Sequence, residues 1–192
     1  MNMQRYQHAL HSEADYYYIE DFSTVRHEFF NGELFAMAGA APKHADIAAN
    51  ILASLLSQLR GKPCRSRASD QRLRVEANSL ITYTDVTVVC PPFRFDSQNK
   101  ITLLDATLIV EVLSSSTRQY DQGEKFNLLR ALPSLHHYLL VEPDEARIEH
   151  RFRLDNGDWQ TEVFTSLDDI VNLSAISCTL NVRAVYEEIE DI

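Results

Sequence analysis

Two carboxylates sit inside strand-like apolar runs. Asp85 lies within Ile81-Thr-Tyr-Thr-Asp-Val-Thr-Val-Val89, and Glu111 within Leu108-Ile-Val-Glu-Val-Leu113. The first run is rich in Thr, Val, Ile and Tyr, which suits a β-strand. The second opens with three consecutive aliphatic residues and reads as a strand covered on both faces. A carboxylate in such a setting is penalised by desolvation unless it is paired or binds a cation. If the two strands are neighbours, the acids converge. Carboxylate oxygens, a backbone carbonyl and water are the donors a hard divalent cation prefers, and Mg2+ keeps waters while recruiting carboxylates and substrate phosphates. Such an ion polarises a phosphodiester and stabilises its leaving oxygen. A nearby Lys adds charge stabilisation or orients the attacking water. Two acids 26 residues apart are a weak motif alone. Exposed strand edges, or pairing with Arg or Lys, would also account for them.

The rest of the chain bounds what can position these groups. Its 192 residues suit one domain, taken as 1–192. Five Gly and six Pro exclude collagen-like and low-complexity readings. The longest uncharged runs, 47–59 and 170–182, are too short to span a bilayer, so no membrane partner is expected. No signal peptide is visible. The three cysteines, Cys64, Cys90 and Cys178, form no C-x-x-C pair and read as buried reduced thiols of a cytoplasmic protein. The formal net charge of −10 weighs against a general nucleic-acid binder. However, Arg60, Lys62, Arg65, Arg67, Arg72 and Arg74 concentrate six positive charges within fifteen residues, as a solvated surface or a phosphate-facing patch.

The pattern of elements is mixed α/β. Ser12 with Asp15 starts a short helix to about Phe22. Asn31-Gly32 between two strand-like runs signals a hairpin. Apolar residues at 47, 51, 52, 55, 56 and 59 give a helix over 44–59, stopped by Gly61 and Pro63. Strands are expected over 65–77, 81–90, 107–113 and 137–142, and residues 93–104 read as a loop. Asp121 is taken as the N-cap of a helix over 121–132, with Glu124 three residues on and Pro133 after it. A second hairpin spans 146–166 around Asp155-Asn-Gly-Asp158, and a helix is expected over 181–190.

The run His27-Glu-Phe-Phe-Asn-Gly-Glu-Leu-Phe-Ala-Met-Ala-Gly39, then Lys43-His44 and Asn50, resembles the opening of the Uma-type restriction endonuclease family. Tyr83-Thr-Asp-Val-Thr-Val-Val-Cys90 resembles its second block. Val110-Glu-Val-Leu-Ser-Ser-Ser-Thr117, Tyr120-Asp121, Lys125-Phe126 and His137-Tyr-Leu-Leu-Val141 resemble its third. The blocks occur in order over about residues 20–190. The resemblance implies the PD-(D/E)XK nuclease superfamily, with a restriction-endonuclease-like mixed sheet flanked by helices, here with β-hairpins at either end. It implies Asp85 and Glu111 as metal ligands, the Val112 carbonyl as a third, Mg2+ as the cation with Mn2+ as substitute, and DNA as substrate. Glu28 is the matching additional acid and Glu33 the weaker choice. The sequence departs from the pattern twice. Thr84 stands where Pro is usual, and Leu113 stands where the superfamily Lys should follow Glu111 by two positions. The resemblance assigns the Lys role to Lys125, in the following helix.

Other chemistry-bearing residues are weaker. His44 could touch a phosphate or water, or satisfy local backbone groups. Ser114 lacks a G-x-S-x-G elbow, which leaves capping or a phosphate contact. Asp121 is a further neighbour of the site. Adjacent strand residues point to opposite faces, so His136-His137 cannot chelate one ion. Tyr16-Tyr-Tyr18 and Trp159 could stack on bases or pack in the core. The sequence thus points to a metal-dependent DNA endonuclease, with a homodimer expected from class analogy. The alternative is a catalytically silent nuclease-fold module in DNA or protein binding.

Overall fold

The computed structural model describes residues 10–37 and 39–192. Helix α1 (Glu13–Phe22) begins at Ser12, whose side chain accepts from the Asp15 N–H while Asp15 caps the Ser12 N–H in return. Strands β1 (His27–Phe30) and β2 (Glu33–Ala36) form the expected hairpin. Asn31 and Gly32 both take positive φ, 54° and 84°, as a two-residue hairpin loop requires. Helix α2 (Pro42–Leu59) follows, burying Ile47, Ile51, Leu55 and Leu59 on one face.

The two long central strands expected from sequence are each broken in two. The first splits into β3 (Arg65–Ala68) and β4 (Arg72–Val75), the second into β5 (Leu80–Tyr83) and β6 (Val86–Val89). The halves belong to different sheets. A four-stranded sheet has the order β2-β1-β5-β4. A six-stranded sheet contains β6 and β3 at one end. It continues through β7 (Leu108–Val112), β8 (His137–Val141), β9 (Ile148–Arg153) and β10 (Trp159–Phe164), in the order β10-β9-β8-β7-β6-β3. Among the described strands of this sheet only β7 and β8 pair in parallel. Uniform β-propensity hides the break between β5 and β6, because both of those halves remain extended and buried. Strands β11 (Ile170–Leu173) and β12 (Cys178–Asn181) add a small hairpin, and the last helix is only Val182–Val185. Together these elements are the expected mixed sheet with flanking helices.

The six-stranded sheet separates two apolar cores. Leu108, Val110 and Val112 face α2 and the C-terminal hairpin, while Ile109 and Leu113 face Phe126, Leu129, Leu132 and Leu135. The alternation is the period of two along a strand. It sends Glu111 to the second side.

Two expectations fail here. Cys64 and Cys90 form a disulfide rather than reduced thiols. The cause is register: Arg65 pairs with Val89, so the residues just beyond that pair face each other across β3 and β6. Cys178 remains a buried thiol. The basic cluster is also smaller than the sequence suggests. Arg72 is buried against the rings of Tyr16 and Tyr17, and Arg74 pairs with Glu13 and Asp96. Those two arginines therefore bind α1 to the smaller sheet. Tyr16 and Tyr17 are core residues, and Trp159 packs edge-on to Phe126.

Candidate active site

Strands β6 and β7 run antiparallel with Val86 opposite Val110. One residue further, Asp85 and Glu111 occupy opposite positions at the end of the ladder. Asp85 lies in the two-residue break between β5 and β6, free of the ladder, and its Oδ2 accepts the Val112 N–H at 2.7 Å. The same oxygen lies 3.2 Å from His44 Nε2, in the first turn of α2. The His44 ring also faces the Val112 carbonyl. Lys43 and the uncapped start of α2 are adjacent.

Glu111 projects to the other side, where Lys125 Nζ stands 2.8 Å from its Oε1. Both side chains are almost wholly buried, and the ammonium also donates to the Tyr83 carbonyl at 3.1 Å. Lys125 closes a π-helical turn, Asp121–Lys125, set between one helical turn at Arg118–Tyr120 and another at Phe126–Leu129. A π-turn admits one extra residue and re-aims the side chains that follow it. The Tyr138 hydroxyl, from β8, donates to the Asp121 carbonyl and fixes the turn at 2.9 Å. Asp121 is therefore not the helix N-cap, because Thr117 holds that position and the helical segment starts three residues early. Asp121 is buried inside the turn, 3.8 Å from Lys125 Nζ. Ser114 spends its oxygen on the turn before the segment, accepting the Thr117 N–H and bonding the hydroxyls of Ser116 and Thr117.

The third acid comes from the smaller sheet. Phe29 pairs with Ile81, which brings Glu28 opposite Thr82, and Thr82 Oγ1 donates to Glu28 Oε2 at 2.5 Å. The Tyr120 hydroxyl donates to the other oxygen, Oε1. Glu28 is buried and its charge acts on Lys125. Glu33 is exposed on β2. The structure thus gathers Glu28, Asp85, Glu111, Asp121, Lys125, His44 and Val112 into one region, and leaves Ser114 in its own turn. Thr82, Tyr83, Tyr120 and Tyr138 hold the cluster and were given no role by sequence. No residue pattern marks a hydroxyl that supports a distant acid.

Acids outnumber bases here: four carboxylates face one ammonium and one imidazole. Burial, reinforced by the charges of Asp121 and Asp85, pushes the Glu111 carboxyl well up despite Lys125. Burial likewise raises Asp121. Burial opposes the charge on Lys125, but Glu111, Glu28 and Asp121 overcome it and hold the ammonium protonated. Burial also opposes the charge on His44, and Asp85 overcomes it and raises the imidazole. The cluster therefore retains protons, the response of a site short of positive charge. Among the described residues no three of His, Cys, Asp and Glu close on a ready-made ion position, because the acids are gathered around Lys125. Their chemistry fits a hard cation nonetheless. The donors are carboxylate and carbonyl oxygens, and buried Glu111 Oε1, although near Lys125, makes no hydrogen bond of proper geometry.

A family model described as "Putative restriction endonuclease", Uma2, matches residues 13–183. The chain belongs to the Uma2 family. A Synechocystis relative of this Uma2 chain, named "Uncharacterized protein slr1290", is 32% identical over 175 residues, covering 91% of this chain and 90% of that one. A second Synechocystis protein, sll1609, also named uncharacterized, is 30% identical over 146 residues, 76% of this chain and 82% of its own. The crystal structure of a putative nuclease belonging to DUF820 from Anabaena variabilis is similar in fold. It superposes with a TM-score of 0.70 at 17% identity, covering 85% of this chain and 91% of that one. Among the described residues no helix is long and apolar enough to cross a membrane.

Proposed function

We propose that this Uma2 protein is a divalent-metal-dependent endonuclease that hydrolyses phosphodiester bonds in DNA. The carrying observation is the buried Lys125–Glu111 pair beside the end of the β6–β7 ladder, where Asp85 lies one residue beyond the Val86–Val110 pair and accepts the Val112 N–H. Asp85, Glu111 and the Val112 carbonyl are the groups that would hold Mg2+, or Mn2+ in its place. The cation supplies charge neutralisation at the scissile phosphate and at its leaving oxygen. Lys125 keeps a positive charge at the site and can orient the attacking water or meet charge that develops on the phosphoryl oxygens. Glu28, locked by Thr82 and Tyr120, and Asp121 keep that ammonium protonated and in place. His44 braces Asp85 from the side of α2.

The test is cleavage of plasmid, linear and single-stranded DNA with Mg2+ or Mn2+. Activity should disappear in Asp85→Asn and in Glu111→Gln. Metal-independent activity surviving in both variants would refute the reading. The engagement of Glu111 by Lys125 favours a second reading, a silent nuclease-fold module. Calorimetric titration with Mn2+ separates the two, since a silent module takes up no cation. By class analogy the enzyme acts as a homodimer, and light scattering reads that statement directly.

A further inference from the structure

We infer that the groove between the C-terminal end of α2 and strand β3 seats the phosphodiester backbone of a nucleic acid, well away from the bond to be cut. This rests on the nuclease reading for what is delivered to the acids, and deepens it by naming where the substrate is gripped. The groove holds about 460 Å³ and is lined by Leu56, Leu59, Arg60, Arg65, Ser66 and Arg67, among others. Strand β3 is the outermost strand of its sheet, so its outer edge is unpaired.

The charge around this groove is unusual for the molecule. Arg60, Lys62, Arg65 and Arg67 fall within eight residues of a chain whose net charge is −10. The other two cations of the cluster, Arg72 and Arg74, are paired with acids. These four make no ion pair among the described residues, whereas most arginines elsewhere in the chain do. Two of the four are fixed without being neutralised. Lys62 Nζ donates to the Ser177 carbonyl at 2.7 Å, and Arg65 Nη1 donates to the carbonyls of Lys62, Pro63 and Cys64. The Cys64–Cys90 disulfide anchors the start of the strand. Ser66, between the two arginines, points to the opposite face of the strand, about nine-tenths buried, and its hydroxyl has no hydrogen-bond partner among the described residues.

The arrangement favours a backbone of regularly spaced anions. Arg65 and Arg67 are two residues apart on a strand, so they emerge on one side about 6.6 Å apart. The strand then runs toward the site, because Ala68 pairs with Val86, the residue after Asp85. Helix α2 spans the same interval: sixteen residues from His44 to Arg60 measure about 24 Å, or about seven nucleotides at 3.4 Å each. An acidic peptide added to the β3 edge is the competing occupant. Arginines on an edge strand discourage strand addition, which turns the argument toward phosphates.

The test is anisotropy titration of a labelled duplex of about 24 base pairs, in EDTA so that no cutting occurs, between 50 and 200 mM salt. Arg60→Gln/Arg67→Gln, which spares the turn-fixing Arg65, should reduce the slope of log affinity against log salt by about two. Its thermal melting should match the parent, and the loss should be equal for unrelated sequences. An unchanged slope, no binding by the parent at 50 mM salt, or equal displacement by poly-glutamate would overturn the inference. Cleavage in Mg2+ is scored separately. A parent that cuts DNA while the slope is unchanged sinks only the groove. A charge-dependent binder that never cuts sinks only the nuclease reading.

Discussion

Lys125 and Glu111 form a buried ion pair, 2.8 Å from nitrogen to oxygen, between a π-turn and the central strand. Removing one partner of such a pair leaves the other charge uncompensated. Lys125→Met should therefore destabilise the fold by about 3–5 kcal/mol. Glu111→Gln should be milder, because Asp121 and Glu28 still face the ammonium. Urea denaturation of both variants reads this asymmetry directly, and equal losses would contradict it.

Raised carboxylates make cation uptake pH-dependent. Glu111 and Asp121 both hold protons above the usual carboxylate range, through burial first and neighbouring acids second. A cation needs the ionised forms, so binding releases protons and strengthens as pH rises. Calorimetry of Mn2+ binding from pH 5.5 to 8 should show affinity rising with pH. Repeating it in buffers of different ionisation enthalpy should show net proton release.

Tyr120 and Thr82 act on Glu28 rather than on substrate. Tyr120→Phe removes a hydrogen bond to a carboxylate, a loss of about 1.5–3 kcal/mol in stability. It should also lower cleavage about tenfold at saturating DNA, through a misplaced Glu28. Affinity for DNA should stay unchanged, and a rise in KM alone would argue against a positioning role.

The site was legible in sequence to the extent that burial conflicts with charge. Asp85 and Glu111 stand out because apolar strands surround them, and the β6–β7 register makes them opposite positions at the end of the ladder. Lys125 needed the family pattern, since nothing in its own neighbourhood distinguishes it from a solvated helical Lys. Asp121 was misread because Asp followed by Glu124 is a good helix start. A π-turn has no comparable signature, and the helical segment begins earlier, after Thr117. The break at 84–85 is hidden because β-favouring residues continue across it, whereas 69–71 is a turn closed by the Gln71 N–H on the Ala68 carbonyl.

His137 and His150 supply an acid-sensitive contact far from the carboxylates in sequence. His137 Nδ1 lies 2.9 Å from His150 Nε2, and His137 Nε2 accepts the Ala175 N–H. Burial lowers them to about 3 and about 4. The unfolded chain binds their protons first, so stability is full above about pH 6.5 and falls as pH drops toward those values. Urea midpoints between pH 7 and 4 should show the fall, and His150→Phe should make it shallower.

The Cys64–Cys90 link closes a loop of 26 residues. Chain entropy assigns such a loop about 3–4 kcal/mol. Cys64→Ser/Cys90→Ser should lose about that much stability while retaining cleavage, since the link sits at the opposite end of β6 from Asp85. Loss of cutting in a folded variant would show that the tether reaches the acids.

Thr84 and Asp85 are all that separates β5 from β6, and hence one sheet from the other. Glu28 belongs to the first sheet and Glu111 to the second, so the way the two slabs are joined bears on the gap between them. Reactivity can then be tuned by altering how α1 wedges the smaller slab, leaving every acid untouched. Substitutions beneath Tyr16 and Arg72 are therefore the place to look for changes in rate that no list of reacting groups would anticipate.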